Sequence, residues 1–171
     1  MAGKRAVRLP LTRVPKASPA ALAEMLSVAK EAVGRPLWVD TGAEQLIVPL
    51  RSAKDVEGAH PHPDLLASLG YREARGESMA YVWGPDASGG IVARFFFLQE
   101  GSLVEDPATG SACANLGGYL VATGHPLPVR WSIEQGVQTG RPSSLTLAVE
   151  PDGSIFVSGH VVEIGRGALE L

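Results

Sequence analysis

Two rhythms of apolar spacing run through the chain. Between Ser18 and Gly34, Leu22, Met25, Leu26 and Ala29 recur every three or four residues, which predicts a helix. Ser18 is a suitable N-cap, Pro19 fits the first turn, and Gly34 is expected to end the helix. A second short helix is predicted within 62–71, closed by Gly70. Elsewhere short apolar runs are separated by turn residues, and each reads as a strand. They lie in 6–11, 36–42, 44–51, 78–84, 89–98, 129–136, 144–150, 154–159, 160–165 and 167–171. Residues 78–98 form a hairpin across Pro85, Asp86 and Gly89, and Pro151-Asp152-Gly153 is a further turn. About ten short strands and three helices predict an α+β fold with a strongly curved or closed sheet.

The third helix is the most informative element. From Thr109 to Thr123, apolar side chains occupy every side and Asn115 is the only strongly polar one. A helix apolar all round is buried on all sides. Gly117 and Gly118 weaken it by roughly 1 kcal/mol each relative to alanine, which implies that other backbone approaches closely there. A helix of about 110–124 threaded through the curved sheet accounts for both features. Gly124 ends it, and Pro126 and Pro128 prevent its continuation.

The start of this helix carries the candidate chemistry, in the segment Glu105-Asp106-Pro107-Ala108-Thr109-Gly110-Ser111-Ala112. Unpartnered N–H groups at a helix start attract a carboxylate or phosphate. Thr109 and Ser111 add hydroxyls, Gly110 allows close approach to the backbone, and Asp106 stands near enough for proton transfer. The alternative is structural: Asp106 or Thr109 simply caps the helix. A P-loop is excluded, because no lysine follows Gly110-Ser111 and the glycine spacing is wrong.

Composition narrows the remaining classes. A chain of 171 residues with 45% hydrophobic content suits one domain with a real core. The net charge of -3 comes without a basic stripe, which argues against nucleic acid, and no apolar run is long enough to span a membrane. With a lone Cys113 and no signal-peptide pattern, a cytoplasmic protein is expected. Cys113 reads as a small buried core residue. His60-Pro61-His62 lacks a third metal ligand, while His125, His160 and Arg141 read as structural. Arg94 either meets a substrate carboxylate or pairs with Glu105 or Asp106. Glu105 is either an acid/base group or an exposed or arginine-paired carboxylate. Phe95, Phe96 and Phe97 alternate across a strand and cannot all face one core, so one of them is a candidate for facing a partner.

The segment 105–112 resembles the signature of the phenazine-biosynthesis PhzF-like family, within the diaminopimelate-epimerase superfamily. Residues 93–96 resemble its arginine-aromatic strand, 134–145 its later Gln-Gly…Gly-Arg-Pro segment, 157–169 its closing strands and 39–50 an earlier strand pair. The resemblance implies a diaminopimelate-epimerase-like fold of two similar halves, each a sheet around a central helix, with the site between the two helix starts. It implies cofactor-independent, metal-free isomerase chemistry by proton transfer on a small carboxylate substrate. Asp106 and Glu105 are then the catalytic candidates, and Thr109, Gly110, Ser111 and Arg94 the substrate-binding ones. The chain, 1–171, resembles only the C-terminal half. The family's first-half glutamate and Gly-His segment have no counterpart here. Pro107 occupies the turn where related epimerases place a cysteine, and Phe97 and Leu98 replace an expected small residue and proline. The implied partner is a second copy, giving a homodimer, or a separate protein carrying the first half, unless the chain is a fragment of a longer enzyme; the alternative function is a non-catalytic module that binds small carboxylates, or an inactive remnant. In the first case residues 166–171 are candidates for exchange between chains.

Overall fold

The computed structural model describes residues 4–5 and 10–168. The strands are β1 (Lys4–Arg5), β2 (Leu11–Arg13), β3 (Leu37–Asp40), β4 (Gln45–Pro49), β5 (Tyr71–Arg72), β6 (Glu77–Pro85), β7 (Ile91–Gln99), β8 (Ser102–Asp106), β9 (Val129–Gln135), β10 (Ser143–Val149) and β11 (Ile155–Gly159). The α-helices are α1 (Pro19–Leu26), α2 (Ala53–Glu57), α3 (Pro63–Leu69) and α4 (Gly110–Ala122), with a 3₁₀ turn at Lys30–Ala32. All eleven strands belong to one mixed sheet. Its main path is β1-β11-β10-β9-β7-β6-β4-β3-β2, with β5 added to β6 and β8 to β7. β4 runs parallel to β6 and β7 parallel to β9, while the remaining pairings are antiparallel.

The sheet curls around α4, which contacts β3 and β4 on one side and β10 and β11 on the other. Ala112, Cys113, Leu116, Tyr119 and Leu120 of α4 share one core with Val39, Ile47, Tyr81, Phe95, Ile133, Leu147 and Ile155, drawn from seven strands. A second core lies on the outer face, where α1, α2 and α3 cover Trp38, Leu46, Val48, Ala80, Val82, Val92 and Phe96. β3, β4, β6 and β7 are therefore buried on both faces, which is why they read as mostly apolar runs, interrupted in β7 by Arg94. β9 has one wet face and alternates buried with exposed positions. The three phenylalanines divide as their alternation requires. Phe95 and Phe97 face α4 and Phe96 faces the second core; Phe97 is the one left partly exposed, in the lining of the cavity beside Asp106.

Several expectations are corrected. α1 stops at Leu26 rather than Gly34, because Ser27 turns left-handed (φ 57°) and its hydroxyl donates to the His60 carbonyl at 2.6 Å. Gly34 instead donates its N–H to the Pro49 carbonyl. α2 and β8 were not expected. No strand forms in 160–168, a segment exposed throughout, and the proposed closing strand at 167–171 lies partly outside the described residues, as does most of the strand at 6–11. The glycines of α4 admit side chains rather than backbone. A Cβ on Gly117 would lie 2.7 Å from Ile155 Cγ2, and one on Gly118 would lie 2.9 Å from Pro10 Cβ and Val39 Cγ1.

Candidate functional site

β8 carries the two acids to the mouth of α4 and divides them. Asp106 pairs with Phe95 and Glu105 with Phe96. Neighbouring strand positions point to opposite faces, so Asp106 joins the α4 side and Glu105 the outer side. There Glu105 accepts two bonds from Arg94, Nε to Oε1 at 3.0 Å and Nη2 to Oε2 at 2.7 Å. Arg94 also donates through Nη1 to the carbonyls of Val56, Glu57 and Ala59, which closes the end of α2, and it stacks on Phe96 at 4.6 Å. Both side chains are nearly buried, at 5% and 14% exposure. The pair thus fastens α2 to β7 and β8, away from the start of α4.

Asp106 and Thr109 do come together. Thr109 Oγ1 donates to Asp106 Oδ2 at 2.6 Å. Gln135, at the end of β9, binds the loop between them. Its Nε2 donates to the Asp106 carbonyl at 2.7 Å and to Thr109 Oγ1 at 2.9 Å, and its Oε1 accepts from the Thr109 N–H. Gly136 makes the close approach possible, with φ +82° and Pro107 O only 2.6 Å from where a Cβ would stand. The Thr109 hydroxyl is therefore committed to Asp106, and no side chain caps α4. Gly110 and Ser111 are exposed, and a Cβ on Gly110 would meet nothing within 4 Å. An uncapped helix start beside a carboxylate is an arrangement suited to an anion and a mobile proton.

A second polar network supports the lip from the other side. Buried Asn115 accepts at Oδ1 from the N–H and hydroxyl of Thr41, at 2.9 and 2.7 Å. Its Nδ2 donates to the Ala43 carbonyl and to Gln45 Oε1, both at 2.7 Å. Gln45 Nε2 in turn donates to Ser111 Oγ at 3.1 Å. A cavity of about 480 Å³ adjoins this lip, bordered by Asp106, Gln45, Phe95, Phe97, Arg72 and Arg75.

Sequence reasoning missed Gln135, Gln45 and Thr41 as positioning residues. The available signal was a polar amide at the end of an otherwise apolar strand, as at Gln45 and Gln135. Cys113 is buried in the core, and burial pushes its thiol up to about 12. His60 and His62 donate backbone N–H groups to the carbonyls of Leu26 and Met25. Among the described residues, no three metal-ligating side chains gather. No helix of the described residues is long and apolar enough to cross a membrane.

Comparison with known proteins places the chain in a family. The model of the PhzC-PhzF family, described as phenazine biosynthesis-like protein, matches residues 5–167. An uncharacterized isomerase of Pasteurella multocida is 35% identical over 146 residues, covering 85% of this chain and 48% of that protein. The predicted epimerase PA4716 of Pseudomonas aeruginosa superposes with a TM-score of 0.69 at 27% identity, covering 98% of this chain and 57% of its own. The PhzF-family protein of Bacillus anthracis superposes with a TM-score of 0.68 at 16% identity, covering 88% and 55%. The chain spans about half the length of the curated relative it matches over most of its length.

Proposed function

Since the chain belongs to the phenazine biosynthesis-like PhzC-PhzF family and is isomerase- and epimerase-like, we propose that it forms one wall of a cofactor-independent isomerase site. Asp106 takes or returns the proton on a substrate carbon. The free N–H groups at Gly110 and Ser111 hold the substrate carboxylate and stabilise the negative charge that grows as the C–H bond breaks. Thr109 and Gln135 orient Asp106. Arg94 and Glu105, on the other face of the sheet, support β8 and touch no substrate. The observation that carries this reading is the commitment of the Thr109 hydroxyl to Asp106, which leaves α4 uncapped beside a carboxylate.

Return of the proton on the opposite face needs a second acid/base group, and the first-half glutamate that the family resemblance implies has no counterpart in this sequence. We propose that a second copy, a separately encoded first half, or a first half belonging to a longer form of this chain closes the cleft. The reading places the protein in the cytoplasm, with a small carboxylate as substrate and no nucleic-acid or membrane partner. The test is exchange of substrate-carbon protons in deuterated water, run over a panel of small carboxylates with an acidic C–H. Exchange that falls at least a hundredfold in Asp106→Asn supports the assignment. Undiminished exchange in that variant overturns it. Saturable carboxylate binding with no exchange would instead identify a non-catalytic binding module, which the missing glutamate motif favours as the second reading.

A further inference from the structure

The chain of side-chain amides beside α4 has a direction, and the backbone sets it. The Thr41 N–H is a donor only, and it donates to Asn115 Oδ1 at 2.9 Å. The Ala43 carbonyl is an acceptor only, and it accepts from Asn115 Nδ2 at 2.7 Å. These two groups fix which end of the Asn115 amide is nitrogen. The same nitrogen donates to Gln45 at 2.7 Å, so Gln45 must turn its oxygen toward Asn115. Its Nε2 is then left to donate to Ser111 Oγ at 3.1 Å. Asn115 is fully buried and Gln45 is 5% exposed, so water does not compete for these bonds. Ser111 is the exposed end of the chain. Its hydroxyl has one hydrogen, and no acceptor among the described residues takes it. With Gln45 bound to a lone pair of Oγ, that hydrogen is free for a ligand at the mouth of α4. Gln45 and Asp106 both border the adjoining cavity.

We propose that Gln45 is a positioning residue that holds the Ser111 hydroxyl as a hydrogen-bond donor to the substrate carboxylate. The proposal rests on the isomerase reading for the carboxylate at Gly110 and Ser111 and deepens it. The ligand then meets two backbone N–H groups and one hydroxyl hydrogen, all of them donors. A carboxylate offers acceptors alone and satisfies all three. Each amide in the chain donates toward the mouth of α4, so the bonds polarise one another in the direction that favours negative charge there. Because the order is imposed by two backbone groups on the far side, the hydroxyl is oriented before substrate arrives. Asn115 sets the direction, Gln45 transmits it and Ser111 makes the contact. Asp106 remains the proton-transfer group.

The test follows the Gly110 and Ser111 amides by nuclear magnetic resonance in the full chain, titrated with sodium acetate at constant ionic strength. Wild type is expected to shift at both amides saturably. Ser111→Ala should weaken acetate at least fivefold and Gln45→Met at least threefold, while Ser111→Thr, which keeps the hydroxyl, should stay within twofold of wild type. The double variant Gln45→Met with Ser111→Ala should bind within twofold of Ser111→Ala alone, because Gln45 acts through that hydroxyl. A purely structural role for Gln45 would weaken binding by the same factor in both backgrounds. Single effects that multiply in the double variant, or unaltered affinity in Ser111→Ala, overturn the inference and leave the helix-start reading standing. The second of these outcomes decides the matter without Gln45→Met, should that variant not fold. Wild-type amides that do not respond to acetate overturn the helix-start reading and the inference with it.

Discussion

Asn115 shows how one residue can serve packing and site together. It is fully buried, and both ends of its amide are satisfied by Thr41, Ala43 and Gln45. Truncation strands the Thr41 N–H and one end of Gln45, and a buried unsatisfied group costs about 1–3 kcal/mol. Asn115→Ala is expected to lower stability by about 3 kcal/mol, read as a fall in the urea midpoint. Cys113 tests burial at the same scale. Its thiol is raised from 9.0 to about 12 by desolvation in the core. Between these values the unfolded chain releases the proton and the folded chain keeps it. The contribution is complete below pH 9 and is lost as pH rises toward 12, by up to about 1.4 kcal/mol per pH unit. Cys113→Ala should flatten the alkaline fall of stability measured by urea unfolding. At pH 8 the native thiol should resist iodoacetamide until the chain is unfolded.

At the scale of elements, α4 is fixed by what its glycines meet. Gly117→Ala would press a methyl onto Ile155 and Leu147, an overpacking worth about 1–3 kcal/mol of destabilisation. Gly110→Ala meets open space, so thermal unfolding should be unchanged or slightly raised while carboxylate binding at the helix start weakens. The contrast separates fold from site within one helix. Glu105→Gln should cost about 3–5 kcal/mol, because it leaves Arg94 as a buried charge without its partner, and should leave carboxylate affinity unaltered in whatever fraction stays folded. The helix itself was legible in the sequence, since apolar residues on every side leave no wet face. The division of Glu105 from Asp106 was also readable in principle, because alternation sends neighbours to opposite faces once β8 is recognised as a strand. It was missed because residues 102–106 are half-exposed and lack an apolar rhythm. α2 was missed because five residues are too few for periodicity, although Ser52 and Asp55 form its capping pair. The Gln135 clamp joins positions 26 apart or more, and no local pattern reports such a contact.

At the scale of the whole molecule, the sheet curls around α4 and leaves its start facing outward, with Asp106 the carboxylate bonded to Thr109 there. Epimerisation with inversion draws on a group facing Asp106 across the cleft, and the match to this chain covers 48% of the curated relative. The segment after β11 adds a physical reason for association. Val161, Val162 and Ile164 are 80%, 69% and 99% exposed, three apolar side chains left uncovered among the described residues. Burying such residues is favourable at roughly 25 cal/mol per Å² of apolar area. A second copy related by a two-fold axis would cover both segments at once, and the second-copy reading further requires that the same axis face two α4 starts across one cleft. Light scattering across a dilution series is therefore expected to give twice 17.9 kDa, with a chain shortened after Gly159 remaining at or near the monomer mass. If dimerisation builds the site, proton exchange should fall with dilution in parallel with the dimer. It should also be restored by mixing Asp106→Asn with wild type only in proportion to the surviving wild-type dimers and any active hybrids. A chain that stays monomeric and soluble at every concentration would end the second-copy reading and leave a first half, on a separate protein or on a longer form of this chain, as the source of the opposing group.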